Sequence, residues 1–313
     1  MRPLFIAQTL AILAGSITAL QSRVNGELSL YTNSSTHAAL ISFTTGLLLV
    51  GSTMLFSQSI RRGLMNVLKA VKNKELPFWK VVGGSIGGFF VATQSASVPV
   101  MGVALFTVAV VSGGALSSLI VDRYGISPFG HAAISQTRLL ASALAVIGVV
   151  VAVSERLHDA NFDIVLLVLS FLVGALVSLQ HALNGHVGKF SGNLLAATFI
   201  NFFFGTLFLV ILLGIQSLFG SNGFEFPQGN PWWSYTGGLI GVTFIISAVY
   251  IINILGSVRF IMGNVAGQIL GSLVLDITMP TTGTSLSITL LIGMFITLAA
   301  VVLANLKRET SLV

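Results

Sequence analysis

GSITALQSRVNGELSLYTNSSTHAALISFTTG (residues 15–46) can be written over GALVSLQHALNGHVGKFSGNLLAATFINFFFG (174–205) at a constant spacing of 159, and nine of the 32 pairs are identical. Gly15, Leu20, Gln21, Asn25, Gly26, Ala38, Ile41, Phe43 and Gly46 meet Gly174, Leu179, Gln180, Asn184, Gly185, Ala197, Ile200, Phe202 and Gly205. Shared hydrophobicity alone does not produce that many. The match resumes at a spacing of 154, where Pro77, Trp79, Gly83, Gly84, Ile86 and Gly87 meet Pro231, Trp233, Gly237, Gly238, Ile240 and Gly241. It continues through 102–122 over 256–276 and ends with Asp122 on Asp276. An internal repeat decides the architecture, because one structural unit must then be placed twice.

The medium around that unit follows from composition. Of the 313 residues, 54% are hydrophobic and only 8% charged, with a mean hydropathy of +0.96. A soluble domain carries roughly 25% charged residues, so most of this surface must face lipid. A bilayer core takes about 20 apolar residues to cross as a helix. Ten runs qualify: 4–25, 36–57, 79–98, 101–121, 131–153, 162–184, 194–217, 232–252, 256–275 and 285–306. Continuous apolar runs, not alternating ten-residue segments, exclude a membrane β-barrel. The first run follows MRP and is read as a spanning helix, being too long for a signal sequence and lacking a small-residue cleavage site. Two pairs of runs leave room only for very short hairpins, around Val98–Gly102 and Asn253–Gly256.

The expected fold is therefore an all-α integral membrane protein of ten transmembrane helices, in two five-helix repeats spanning 1–156 and 157–313. Five is odd, so the second repeat enters the membrane from the opposite side. Inverted repeats of this kind are characteristic of secondary transporters, whose halves rock about a site near the bilayer midplane.

Charge sets the orientation. Six of the fifteen basic residues, Arg61, Arg62, Lys69, Lys72, Lys74 and Lys80, lie between the second and third runs. Placing them in the cytoplasm also places Arg2, Arg123, Lys189, Lys307 and Arg308 there and leaves Arg23 and Arg156 outside. Both termini are then cytoplasmic. Ile60, Leu64, Val67, Leu68 and Val71 share one face of a helix in this connection, read as lying on the anionic inner leaflet, with a solvated basic loop as the alternative. The net charge of +6 is thus a topology signal, and no nucleic-acid partner is expected. Absence of cysteine excludes disulfides and thiolate metal sites.

The ALQSRVNGELS and LQHALNGHVG segments, the short turns before Gly102 and Gly256, and AGQILGSLVLD together resemble the YdcZ-like branch of the drug/metabolite transporter superfamily. The resemblance covers nearly the whole chain. It implies ten helices in two halves and a carrier of the bacterial inner membrane, and it describes a scaffold more than a substrate. The first half has Gly113–Gly114 where the second has Gly267–Gln268, a departure from the branch's Gly-Gln pair.

Polar residues inside a membrane are costly and so are functional candidates. Asn264 and Gln268 lie mid-span, four apart and on one helix face, and are the leading substrate contacts, with Ser112, Gly113 and Gly114 in the matching helix. An interhelical hydrogen bond is the alternative role. Gln180 lies about 24 Å along a helix that starts at Ile164, close to its far interface. Gln180 and Asn184, with their repeat mates Gln21 and Asn25, are read as two mouths of the pathway, one per side. Asn184–Gly185 and Asn25–Gly26 are expected to stop their helices, glycine taking the left-handed conformation. Gln94 is a weaker candidate because its repeat position is Ala248.

Asp122 and Asp276 end their helices, where the dipole disfavours a carboxylate, so each should have a partner: Arg123 or Arg138 for Asp122, none evident for Asp276. Both, with His181 and Glu27, are candidates for proton coupling. His181 and His186 are five apart with no third ligand, so no metal site or cofactor is expected. His37 and His131 are read as interfacial or packing residues. No carboxylate lies mid-span, which points to a neutral, zwitterionic or weakly polar substrate. The expected activity is an alternating-access carrier, taken as an exporter, with a homodimer as a further open partner. A polytopic enzyme is disfavoured by the scattered histidines, and a passive channel would differ in showing no counterflow.

Overall fold

The computed structural model describes residues 2–126, 130–131, 134–159, 162–220 and 229–306. Lys307 and Arg308 lie outside them. Among the described residues the chain is helical and contains no strand: α1 (Arg2–Thr32), α2 (Ser35–Phe56), α3 (Gln58–Lys72), α4 (Phe78–Val81), α5 (Gly84–Arg123), α6 (Gln136–Val153), α7 (Ile164–Ser191), α8 (Leu194–Leu218), α9 (Gly237–Leu255), α10 (Ser257–Thr278) and α11 (Ile288–Leu306). Eight helical segments are long and apolar enough to cross a membrane, and Ile288–Ala304 adds a shorter apolar one.

One of the eight, Phe78–Arg123, is 46 residues long, more than twice what a bilayer needs. It does not run straight. Pro99 removes a backbone donor, and Gly102 takes φ 83°, ψ 166°, a conformation essentially restricted to glycine. Phe90 and Phe106 would be about 24 Å apart along a straight helix, yet their ring centroids are 5.9 Å apart. The chain thus folds back at Gly102, as the short-hairpin reading expects. Between α9 and α10 Gly256 takes nearly the same conformation, φ 76°, ψ 162°.

The expected helix stops at Gly26 and Gly185 do not occur. Both α1 and α7 continue through the Asn-Gly pairs and end seven residues later, at Asn33 (φ 51°) and Gly192 (φ 59°), positions again 159 apart. Glycine inside a helix is worth about 1 kcal/mol less than alanine, but a Cβ on Gly26 would touch Val98 at 2.9 Å. Close packing against α5 outweighs the local preference. The next helices are then capped alike: Ser34 Oγ accepts from His37 N at 3.3 Å, and Asn193 Oδ1 accepts from Ala196 N at 3.0 Å.

Helices α1 and α10 pack closely, as do α5 and α7, α6 and α11, and α2 and α8. The tight contacts come in pairs related by the sequence match. Gly15 of α1 sits on the backbone of Asn264 and Gln268, and Gly174 of α7 sits on that of Val110. Gly113 faces the Phe171 carbonyl, and Gly267 the Ile12 carbonyl. Phe43 and Phe202, which match each other, meet ring to ring at 5.2 Å.

The basic connection forms α3, and part of its apolar face is turned to protein, while Leu68 of that face stays exposed. Ile60, Val67 and Ala70 are buried, and Val67 and Ala70 cluster with Val187 of α7 and Ile200 of α8. Gly63 approaches Ala196 and Asn193, whose amide donates to Ser59 at 3.0 Å. An amphipathic stripe is the same pattern for either burial, so the sequence alone could not choose between them. Arg61, Arg62 and Lys69 remain exposed.

Candidate functional site

Polar side chains gather at several places within the bundle. The first is centred on Gln94, which is 1% exposed and sits on the first arm of the α5 hairpin. Its Oε1 accepts from Asn25 Nδ2 at 2.8 Å and its Nε2 donates to Ser22 Oγ at 2.7 Å, joining α1 to α5. Asn25 is fully buried, and its Oδ1 has no partner. Gln21, one turn away, donates to the Gly237 carbonyl at 2.9 Å.

The matching grouping is built differently. Asn201 Oδ1 of α8 accepts from both Gln180 and Asn184 of α7, each at 2.9 Å. Gln180 also abuts Gly87, as Gln21 abuts Gly241. Each glutamine therefore leans on the glycine-rich helix start of the opposite half. His181 is exposed, on a different side of α7 from Gln180.

The second location is α10. Asn264 Oδ1 is buried without a hydrogen bond, and Gln268, one turn on and half-buried, makes no side-chain bond to a described residue. Polar groups in a membrane interior generally find partners, so two unpaired amides on one helix face leave capacity for a ligand. Ser112 is fully buried and donates to the Ala145 carbonyl at 2.8 Å, tying α5 to α6. Gly113 packs on α7.

The third grouping is at the Gly102 end of the bundle. Asp276, 2% exposed, accepts from Val103 N at 2.9 Å and Ala104 N at 2.8 Å. It thereby caps the second arm of the hairpin and acquires the partners that its own sequence neighbours lack. Thr284 Oγ1 donates to it at 3.4 Å. The connection to α11 closes over the turn, with Gly283 N donating to Pro99 O at 2.9 Å, and from the α6–α7 connection Arg156 donates to Met101 O at 3.1 Å. Burial pushes the Arg156 guanidinium below its ordinary pKa, with the Asp159 and Asp276 carboxylates opposing. Arg23, paired with Glu27, donates to Met279 O at 2.9 Å.

Asp122 lies at the other end of its arm and pairs with Arg138 at 2.7 Å, the second of the two partners expected from the sequence. Also at that end, Lys80 approaches His186 Nε2 at 3.1 Å, and His131 contacts the Arg123 carbonyl at 2.9 Å. Among the described residues no cluster of three or more histidine, aspartate or glutamate side chains has a metal-binding arrangement.

Sequence reasoning underrated Gln94 and missed Ser22 and Asn201. Gln94 is hidden by its repeat mate Ala248, whereas Asn201 matches Ser42, a polar pair inside apolar runs that could have signalled it.

Comparison with known proteins identifies a family. The family described as "Putative inner membrane exporter, YdcZ" matches residues 6–151 and 165–303. "Inner membrane protein YdcZ" of Escherichia coli (strain K12) is 31% identical over 114 residues, covering 36% of this chain and 75% of that protein. Apolar helices of spanning length, and a family match over both halves of the chain, make this a multi-pass inner-membrane protein that belongs to the YdcZ family of transporters in the drug/metabolite transporter superfamily.

Proposed function

We propose that the chain is a ten-span alternating-access carrier, built as two inverted halves (1–156 and 157–313), that exports a small neutral or zwitterionic molecule. The observation that carries this reading is the paired packing across the halves. Gln21 rests against Gly241 while Gln180 rests against Gly87, and Gly15 on Asn264 is matched by Gly174 on Val110. Contacts exchanged in this way are what a pseudo-two-fold axis in the membrane plane produces, and the axis passes where Phe43 meets Phe202.

Further support comes from the two stretches of family match, one per half. The span count reaches ten when the segment folded at Gly102 is taken as two and Ile288–Ala304 is added. Lys80 and α3 lie at the end opposite Arg23 and Arg156, as the positive-inside rule requires if both termini are cytoplasmic. Asn264 and Gln268 are the proposed substrate contacts. Gln21, through the Gly237 carbonyl, and Gln180, packed on Gly87, meet the opposite half, while Asn25 and Asn184 bond within their own halves; the four are proposed to line the two mouths of the pathway.

Purified protein in liposomes tests the reading. Preloaded substrate, found by thermal-shift screening of metabolites, should drive uptake of labelled substrate from outside, and saturably. Rapid passive flux without counterflow would replace the carrier with a channel. Single cysteines at Asn33 and Asn193 should react from opposite sides of the membrane, and reaction from one side would refute the inversion.

A further inference from the structure

Gly102 and Gly256 correspond in the repeat, as do Asp122 and Asp276. A helix that begins after such a turn presents backbone N–H groups with no partner inside the helix. After Gly102 these groups donate to Asp276, and a Cβ on Gly102 would touch Asp276 Oδ2 at 2.9 Å. After Gly256 the situation is reversed. No described atom lies within 4 Å of the position a Cβ would take there, and Asp122, the residue that the repeat assigns to this turn, is held by Arg138 instead.

The two turns lie at opposite ends of the bundle, since along α10 Gly256 and Asp276 are 20 residues, or about 30 Å, apart. The Gly102 end is also sealed by Gly283 on Pro99, Thr281 on Val98 and Arg156 on Met101.

We propose that Asp276 and Asp122 are alternating latches. In the conformation described here Asp276 locks the Gly102 turn and Arg138 holds Asp122 off the Gly256 turn. In the opposite conformation Asp122 leaves Arg138 and accepts from the N–H groups that follow Gly256, while Asp276 releases Val103 and Ala104. The inference rests on the alternating-access reading above and assigns that motion its two locks. Arg138 is the competitor that sets the balance between them.

The chain has no cysteine, so single substitutions report on each end. Ala104→Cys is buried at the latched turn and Ile254→Cys is 42% exposed near the open one. Labelling with a membrane-impermeant maleimide is measured in vesicles of both orientations. Asp276→Asn should raise labelling of Ala104→Cys about tenfold, the scale of one charge-assisted hydrogen bond, and lower that of Ile254→Cys. Asp122→Asn should do the reverse.

Arg138→Gln, which frees Asp122, should act in the same direction as Asp276→Asn and supplies the test if that variant fails to fold. Both aspartate variants moving the reporters in the same direction would overturn the latch and leave Asp276 an ordinary cap. Reporters that stay inversely related but ignore the aspartates and Arg138 would overturn the latch and leave alternating access standing. Reporters that rise and fall together in every variant would overturn both.

Discussion

The turn at Gly102 and the turn at Gly256 share a backbone conformation and differ in almost everything around it. Gly102 is preceded by Pro99, capped by Asp276 and covered by the connection to α11. Gly256 follows Asn253, Ile254 and Leu255, and no described atom lies within 4 Å of where a side chain would stand. The two matching stretches of sequence thus share the glycine and differ in what packs on it. The glycine is needed for the turn itself, and the aspartate for holding the turn in place.

Alanine at the two glycines separates these contributions. Both substitutions force a side chain into a backbone region that costs on the order of 1–3 kcal/mol. At position 102 the new methyl would also press on Asp276 Oδ2 at 2.9 Å and Thr284 Oγ1 at 3.3 Å. Gly102→Ala is expected to lower the apparent unfolding midpoint in detergent well beyond Gly256→Ala, which bears the backbone strain alone. Equal losses would mean that the cap adds nothing to the turn.

The polar hubs form a second contrast, with a smaller expected effect. Gln94 serves Asn25 and Ser22 in a fully buried setting, while Asn201, itself half-buried, serves the buried Gln180 and the half-buried Asn184. Gln94→Ala strands the Asn25 amide, whose Oδ1 is already unpaired, and should destabilise by about 1–3 kcal/mol. Asn201→Ala should cost about 1 kcal/mol or less, because its partners can reach other groups or water. Thermal unfolding of the two purified variants measures the difference directly, and a larger loss for Asn201→Ala would reverse the ranking.

Much of this was legible because the signals were local or periodic. Run lengths and glycine spacing identify the helices and both turns, and the repeat pairs Asp122 with Asp276 before any coordinate is known. Three features were not legible. Gly26 and Gly185 read as stops because a glycine's preference is local, whereas its use against Val98 depends on residues 72 positions away. The apolar face of α3 fits lipid or protein equally well by its spacing. The capping of Val103 and Ala104 by Asp276 spans more than 170 residues and leaves no periodic trace.

The smallest effect on stability is expected on α10, where it separates binding from packing. Asn264 and Gln268 have no hydrogen-bond partners to lose, so Gln268→Ala should change the unfolding midpoint of the ligand-free protein little, by about 0.5 kcal/mol or less. A bound substrate stabilises only the folded state and raises the midpoint with concentration. That rise should disappear in Gln268→Ala and persist in Ser112→Ala, whose hydroxyl is engaged with Ala145. If Gln268→Ala instead lowers the ligand-free midpoint as far as Gln94→Ala does, the α10 amides hold helices together like those of the Gln94 hub. The substrate would then have to be sought on another helix face.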